Sequence, residues 1–211
     1  MMGSASGAYN SVLKRALDFS AASVCLVVCV PLILFTSLIL LVSEGRPVFF
    51  IQTRAGLDGR PFQLIKFRTM ESVGGKSTGR IGRIGRILRV TSFDELPSLW
   101  NIARGDMSFV GPRPLLLDYL SIYSPRHSMR HKVRPGLTGL AQVMGRNNLS
   151  WHQRFEYDVT YVEDLSFLLD LKILARTLAV VFSQTGAERI GGGLTPRLDN
   201  TYHIKVKQPG L

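Results

Sequence analysis

Between Phe19 and Val42 the chain carries no Asp, Glu, Lys, Arg or His, and Leu, Ile, Val, Phe and Ala dominate. As an α-helix that run is about 36 Å long at roughly 1.5 Å per residue, enough to cross a bilayer core of about 30 Å. A soluble core helix of this length would show polar breaks, and a secretory h-region is shorter, about 7–15 residues. No small-residue cleavage site follows, because the chain continues Ser43-Glu44-Gly45-Arg46-Pro47. The run is therefore read as a membrane helix. Lys14 and Arg15 precede it, and Arg46, Arg54 and Arg60 follow it, so the positive-inside rule draws both ends toward the cytoplasm. Pro31, near the middle, has no amide N–H and interrupts the helical hydrogen bonding. A re-entrant helix bent at Pro31 satisfies both features; a spanning helix with a mild kink is the alternative.

The 211 residues suffice for one domain plus this anchor. Lys and Arg number 26 against 15 Asp and Glu, a net +11 that implies an anionic partner: nucleic acid, acidic lipid or a phosphorylated substrate. With 45% apolar residues the chain is too greasy for an ordinary soluble nucleic-acid binder. Cys25 and Cys29 lie inside the apolar run and behave as small apolar residues rather than a disulfide framework. The expected organisation is an N-terminal segment over 1–18, a re-entrant helix over 19–45, a catalytic domain over 46–185 and a loose Gly/Pro-rich tail over 186–211. The fold class is α+β, mainly α. Asp58-Gly59 between two β-rich runs, 48–54 and 62–70, predicts a small β-hairpin. Residues 74–79 read as a flexible loop. Arginines recur every third residue from Arg80 to Arg89, but the interleaved glycines weaken a helical reading there. Helices are predicted over 96–103, 150–163 and 165–183, the last an amphipathic helix lying on the core or the membrane surface.

Gly75-Lys76-Ser77 lacks the upstream glycine of a phosphate-binding loop, since that position is Met70. His127 and His131 could share a helix face as metal ligands, but Arg126, Arg130, Lys132 and Arg134 around them repel a cation. Asp94-Glu95-Leu96-Pro97 carries more chemistry. Either Ser92 caps a helix here, with Glu95 completing a capping box, or Asp94 is the cap and Pro97 falls in the tolerated first turn. Both place two carboxylates at a helix start. Arg89 lies upstream, and Asp106 and Gly111-Pro112-Arg113-Pro114 lie downstream. Carboxylates hold Mg2+ through oxygen, arginines grip phosphate oxygens bidentately, and a carboxylate can attack phosphorus directly. Together they suit phosphoryl transfer, where catalysis is mostly positioning and charge stabilisation.

These residues resemble the bacterial monotopic phosphoglycosyl transferases. The resemblance rests on Arg89, Asp94-Glu95-Leu96-Pro97, Asn101 and the run from Gly105-Asp106-Met107 to Pro114. It continues through Lys66-Phe67-Arg68-Thr69-Met70, Arg134-Pro135-Gly136-Leu137-Thr138-Gly139, Gln142, Gly145-Arg146-Asn147 and Tyr157-Asp158. It implies an enzyme that moves a phosphosugar from a nucleotide (by family, UDP) sugar to polyprenyl phosphate on the cytoplasmic face of the bacterial inner membrane, with no nucleic-acid partner. Asp94 would attack the β-phosphate and release UMP, leaving a phosphosugar on the enzyme that the polyprenyl phosphate then attacks. Glu95 would help hold Mg2+ or tune Asp94, with Asp94 and Glu95 as the metal carboxylates. Lys66, Arg89 and Arg113 would neutralise phosphates, and Arg68, Arg134, Thr138, Gln142 and Arg146 would complete the substrate site. Two positions depart from the family pattern. Val30 stands where Ser often precedes the bend proline, and Met144 interrupts the Gln-Val-Asn-Gly-Arg of many amino-sugar enzymes. The reading from another class is a membrane-tethered module that binds nucleic acid or anionic lipid through residues 80–89. That reading accounts for the charge and the anchor but leaves Asp94-Glu95 unexplained.

Overall fold

The computed structural model describes residues 9–73, 76–145 and 149–182. Arg146 and the tail from 186 lie outside the described residues. Among the described residues the architecture is mainly helical, with three two-stranded β-ladders.

Helix α1 runs Lys14–Glu44, so it begins before the uncharged stretch, and it continues through Pro31 without a break. At roughly 1.5 Å per residue its 31 residues extend about 46 Å. One narrow face is packed against the body along the whole length. Ala22, Cys25, Leu26 and Cys29 meet Phe62, Leu64, Leu99 and Ile102. Ile33 and Leu40 meet Phe67 and Leu88 further along. These positions recur every three or four residues, as one helix face requires. The opposite face, including Val24, Val27, Val28, Leu34, Phe35, Leu38 and Val42, is bare. Both ends are tied to the same body. Lys14 forms a buried pair with Asp170, and Arg15 donates to the carbonyls of Ile102 and Ala103 at 2.6 and 2.7 Å. At the far end Arg68 donates to the carbonyls of Glu44 and Gly45 at 2.7 and 2.9 Å, satisfying orphan acceptors of the helix terminus.

Strands β1 (Phe49–Ala55) and β2 (Pro61–Phe67) form the expected antiparallel hairpin. Asp58 and Gly59 make the turn with φ of 52° and 73°, the left-handed conformation that Asp-Gly accommodates. Strand β3 (Met70–Val73) pairs with β4 (Lys76–Ile81), so residues 76–79 of the expected 74–79 loop are strand. The arginine-rich run is helical after all: α2 spans Arg83–Thr91. Gly85 is required inside it, because a Cβ there would sit 2.1 Å from the Thr69 carbonyl oxygen. A 3-10 turn, Phe93–Ser98, leads into α3 (Leu99–Arg104), which stops at Gly105 with φ of 99°.

The two glycine-proline motifs meet in a parallel ladder of β5 (Ser108–Val110) with β6 (Gly136–Thr138). The Gly111 amide donates to the Thr138 carbonyl at 2.9 Å, and the Gly136 amide to the Pro112 carbonyl at 3.0 Å. A Cβ on Gly136 would lie 2.1 Å from the Gly111 nitrogen, so this crossing admits no side chain. The short α4 (Pro125–Ser128) and α5 (Leu140–Met144) precede two longer helices. Helix α6 (Trp151–Glu163) opens with a full capping box between Ser150 and Gln153. Helix α7 (Phe167–Phe182) buries Ile173 and Asp170 and leaves Phe167, Leu168, Leu171 and Leu178 exposed, a second bare apolar face after that of α1.

Candidate active site

The site is assembled on β2. Ser98 donates through Oγ to the Ile65 carbonyl at 2.7 Å. Buried Asn101 donates through Nδ2 to the Gln63 carbonyl at 2.7 Å and accepts the Ile65 amide at 3.1 Å. These bonds clamp the Phe93–Ser98 turn and α3 against the strand. Glu95 thereby meets Lys66, whose Nζ donates to Glu95 Oε1 at 2.5 Å, and Arg113 Nη2 reaches the same oxygen at 3.5 Å. Neither capping scheme drawn from the sequence is used. Ser92 adopts a left-handed conformation with φ of 60° and makes no side-chain cap bond. The Asp94 carboxylate is left without a hydrogen bond or ion pair among the described residues. The reason is geometric: a 3-10 turn preceded by αL backbone does not aim an N-cap oxygen at the turn's own amides.

A cavity of about 780 Å3 opens over these residues. Its walls include Lys66, Arg68, Arg89, Asp94, Glu95, Arg113 and Gln142, and also Arg54, Arg130, Arg154 and Asp158. Seven cationic side chains thus face three carboxylates. Arg89 is held by its Nε bond to Thr69 Oγ1 at 2.8 Å. Arg130 and Asp158 form a buried pair at 2.7 Å, and Arg130 also donates to the Arg113 carbonyl at 2.8 Å, steadying the strand end that carries Arg113. At the far rim the Arg154 guanidinium lies over the Trp151 ring, 4.9 Å from its centroid.

Burial pushes the Asp94 carboxyl above the usual aspartate range; adjacent Glu95 pushes the same way, and Lys66, Arg89 and Arg113 oppose. Burial also lowers the Lys66 ammonium, against the pull of Glu95. Arg54 is lowered to about 10 by burial and by Arg113 beside it. The arrangement is a free carboxylate within a ring of cations, which suits attack on, or coordination around, a phosphate.

The family description "Bacterial sugar transferase" matches residues 9–184. The chain belongs to the bacterial sugar transferase family. It is 47% identical to the sugar transferase EpsL of Bacillus subtilis, over 84% of this chain and 91% of that one. It is 40% identical to the UDP-glucose:undecaprenyl-phosphate glucose-1-phosphate transferase of Caulobacter vibrioides, over 82% of this chain and 71% of that one. It is 36% identical to the exopolysaccharide production protein ExoY of Rhizobium meliloti, over 84% and 89%. This bacterial sugar transferase is therefore an enzyme, and the membrane-tethered binding module is set aside.

Of the residues the sequence assigned to the transferase's site, Asp94, Glu95, Lys66, Arg68, Arg89, Arg113 and Gln142 share the cavity. Arg68 lines it while its guanidinium ties down the end of α1. Arg134 and Thr138 are elsewhere: Arg134 donates to the Gly105 carbonyl at 2.9 Å, and the Thr138 hydroxyl pairs with that of Thr177 at 2.7 Å. Neither lines the cavity. Arg146 lies outside the described residues. Pro31 is within α1, away from the cavity lining. His127 and His131 do not converge. His131 Nδ1 faces the Gly56 carbonyl at 3.3 Å, whereas His127 meets His152 and Glu156, and Glu156 is also bonded by Arg126 at 3.0 Å. Sequence reasoning missed Arg54, Arg130 and Arg154 as cavity residues. The one available signal was the alternation Phe50, Gln52, Arg54 in a predicted strand, which places Arg54 on the same face as its neighbours two and four residues back.

Proposed function

We propose that this chain transfers a sugar 1-phosphate from a UDP-sugar to undecaprenyl phosphate, working from the cytoplasmic face of the bacterial inner membrane. The observation that carries the reading is Asp94: a carboxylate with no bond of its own among the described residues, in a cation-lined cavity, in a chain of this family. Relatives whose names specify UDP-glucose and undecaprenyl phosphate support the substrate classes. An Asp94 carboxylate oxygen attacks the β-phosphorus, the bond from that phosphorus to the bridging oxygen breaks, and UMP leaves. A phosphate oxygen of the lipid then attacks the same phosphorus and returns Asp94 as a carboxylate. Lys66, Arg89 and Arg113 offset phosphate charge in both steps, while Glu95 fixes Lys66.

Mg2+ fits the donor set. It favours carboxylate and phosphate oxygens and accepts one or two protein carboxylates with substrate phosphates supplying more. Asp94 and Glu95 would hold it, and it would supply charge shielding for the diphosphate. The exposed faces of α1 and α7 support membrane association. A helix packed on one body from end to end suits a re-entrant placement rather than a spanning one.

The test is UMP release from a panel of UDP-sugars by purified protein in nanodiscs with undecaprenyl phosphate, with and without EDTA. UMP from one donor, sustained only with lipid and Mg2+, is expected. A well-folded protein that releases none from any UDP-sugar would refute the reading.

A further inference from the structure

Arg54 is a partly buried cation that pairs with no carboxylate among the described residues. Its Nη2 donates to Gln52 Oε1 at 2.5 Å and its Nη1 to the Pro114 carbonyl at 3.3 Å. Its Nε is buried with no hydrogen-bond partner among the described residues. The strongest charge acting on it is another cation, Arg113. Burying a guanidinium beside a second one is unfavourable unless an anion joins them, so the position calls for an anionic ligand.

The rest of β1 says which anion. Phe50, Gln52 and Arg54 alternate along one strand face, and all three line the cavity. Their cross-strand partners on β2 are Lys66, Leu64 and Phe62 respectively. Directly opposed residues on an antiparallel pair have Cβ atoms roughly 4.5–5.5 Å apart, so the Phe50 ring lies beside the Lys66 that holds Glu95. Phe50 is 44% exposed, and cavity-lining Pro47 and Met70 lie at the same end. That end follows directly on α1, whose bare apolar face ends at Leu41 and Val42. The strand face therefore runs from an apolar mouth at the helix exit to a cationic interior. The polar rim with Gln142, Trp151 and Arg154 is made by other elements.

We propose that this face of β1 is the acceptor subsite: the first isoprene units of the polyprenyl phosphate lie on Phe50 and Pro47, and its phosphate is received by Arg54, oriented by Gln52. This rests on the transfer reaction proposed above. Arg54 is a substrate-binding residue of the second step only, because the first step needs no lipid.

The experiment measures two rates on each variant in nanodiscs. One is exchange of labelled UMP into UDP-sugar without lipid, which reads the first step. The other is transfer to undecaprenyl phosphate, read for its KM. Arg54→Gln and Phe50→Ser are each expected to raise KM for the lipid about tenfold or more, the scale of one charge-assisted hydrogen bond or one lost aromatic contact. Exchange should fall by clearly less than transfer does, its persistence showing that the variants are folded, and Arg54→Lys should recover part of the loss. An unchanged lipid KM in both variants overturns the subsite. So does a loss of exchange equal to the loss of transfer in both, which would assign the face to the donor. If wild type shows no lipid-independent exchange, the covalent two-step reading is what fails, and the lipid KM of the overall reaction still decides the subsite.

Discussion

Lys66 Nζ donates to Glu95 Oε1 at 2.5 Å, and this one bond separates the roles of two adjacent carboxylates. Glu95 is engaged by a cation, whereas Asp94 faces the same cavity without a hydrogen bond among the described residues. On the proposed mechanism Asp94→Asn keeps shape and removes the nucleophile, so UMP release should fall by roughly a thousandfold or more while membrane association is retained. Steady-state UMP assays on detergent-purified protein check this; near-normal turnover would assign the attack elsewhere.

The neighbourhood of Asp94 also sets a pH dependence. Its folded pKa is raised above 3.8, first by burial and then by Glu95. On the proposed mechanism the reactive carboxylate is lost as pH falls, at a higher pH than for an exposed aspartate. Glu95→Gln removes a raising influence and frees Lys66 to act on Asp94, so the acid limb should move to lower pH even as the maximal rate drops. The measurement is the pH profile of UMP exchange in both proteins; an acid limb that moves upward contradicts this account.

The carboxylate pair was legible because Asp94 and Glu95 are adjacent and flanked by arginines and Gly-Pro motifs. The hairpin was legible because Asp58-Gly59 supplies the left-handed turn locally. Other parts depended on contacts that no local pattern carries. Residues 74–79 read as a loop, yet the Lys76–Ile81 segment pairs as a strand with Met70–Val73, because pairing rather than composition decides such short segments. Gly85 argued against a helix at about 1 kcal/mol of propensity, but it is there so that α2 can touch the Thr69 backbone. Arg54 was invisible as a cavity residue because the carbonyl it bonds, that of Pro114, lies 60 positions along the chain.

The Gly111–Gly136 crossing predicts a packing failure. Gly136→Ala places a methyl 2.1 Å from the Gly111 nitrogen and 2.3 Å from the Thr138 oxygen, so the β5–β6 ladder must open. A destabilisation of about 3 kcal/mol or more is expected, with loss of Arg113 positioning and of activity. Chemical denaturation in detergent reads the first and UMP release the second; a wild-type midpoint would show that the crossing can relax.

The Lys14–Asp170 pair joins the start of α1 to α7, and Tyr9 and Tyr161 donate to the same carboxylate at 2.6 and 2.7 Å. The side chains are 10% and 7% exposed, so removing one partner leaves an uncompensated buried charge. Lys14→Met should cost about 3–5 kcal/mol, and the double variant Lys14→Met/Asp170→Leu should recover part of that. Thermal melts of the single and double variants decide it. A single variant as stable as wild type would mean that the hydroxyls alone satisfy Asp170.

The packing of α1 makes its topology testable. A spanning helix places about 20 residues in hydrocarbon, clear of any polar domain. Here contacts with one body recur from Lys14 through Ala22 and Ile33 to Leu40, so no stretch of that length is free of the body. That packing predicts that both ends face the same compartment, with the bare face of Val27, Val28, Leu34 and Phe35 toward lipid. Single cysteines at the exposed positions Leu13 and Ser43, in a Cys25→Ala/Cys29→Ala background, should both react with an impermeant maleimide in inverted vesicles. Neither should react in intact spheroplasts. Reaction of one from each side would establish a spanning helix and require α1 to leave the body on which it is packed.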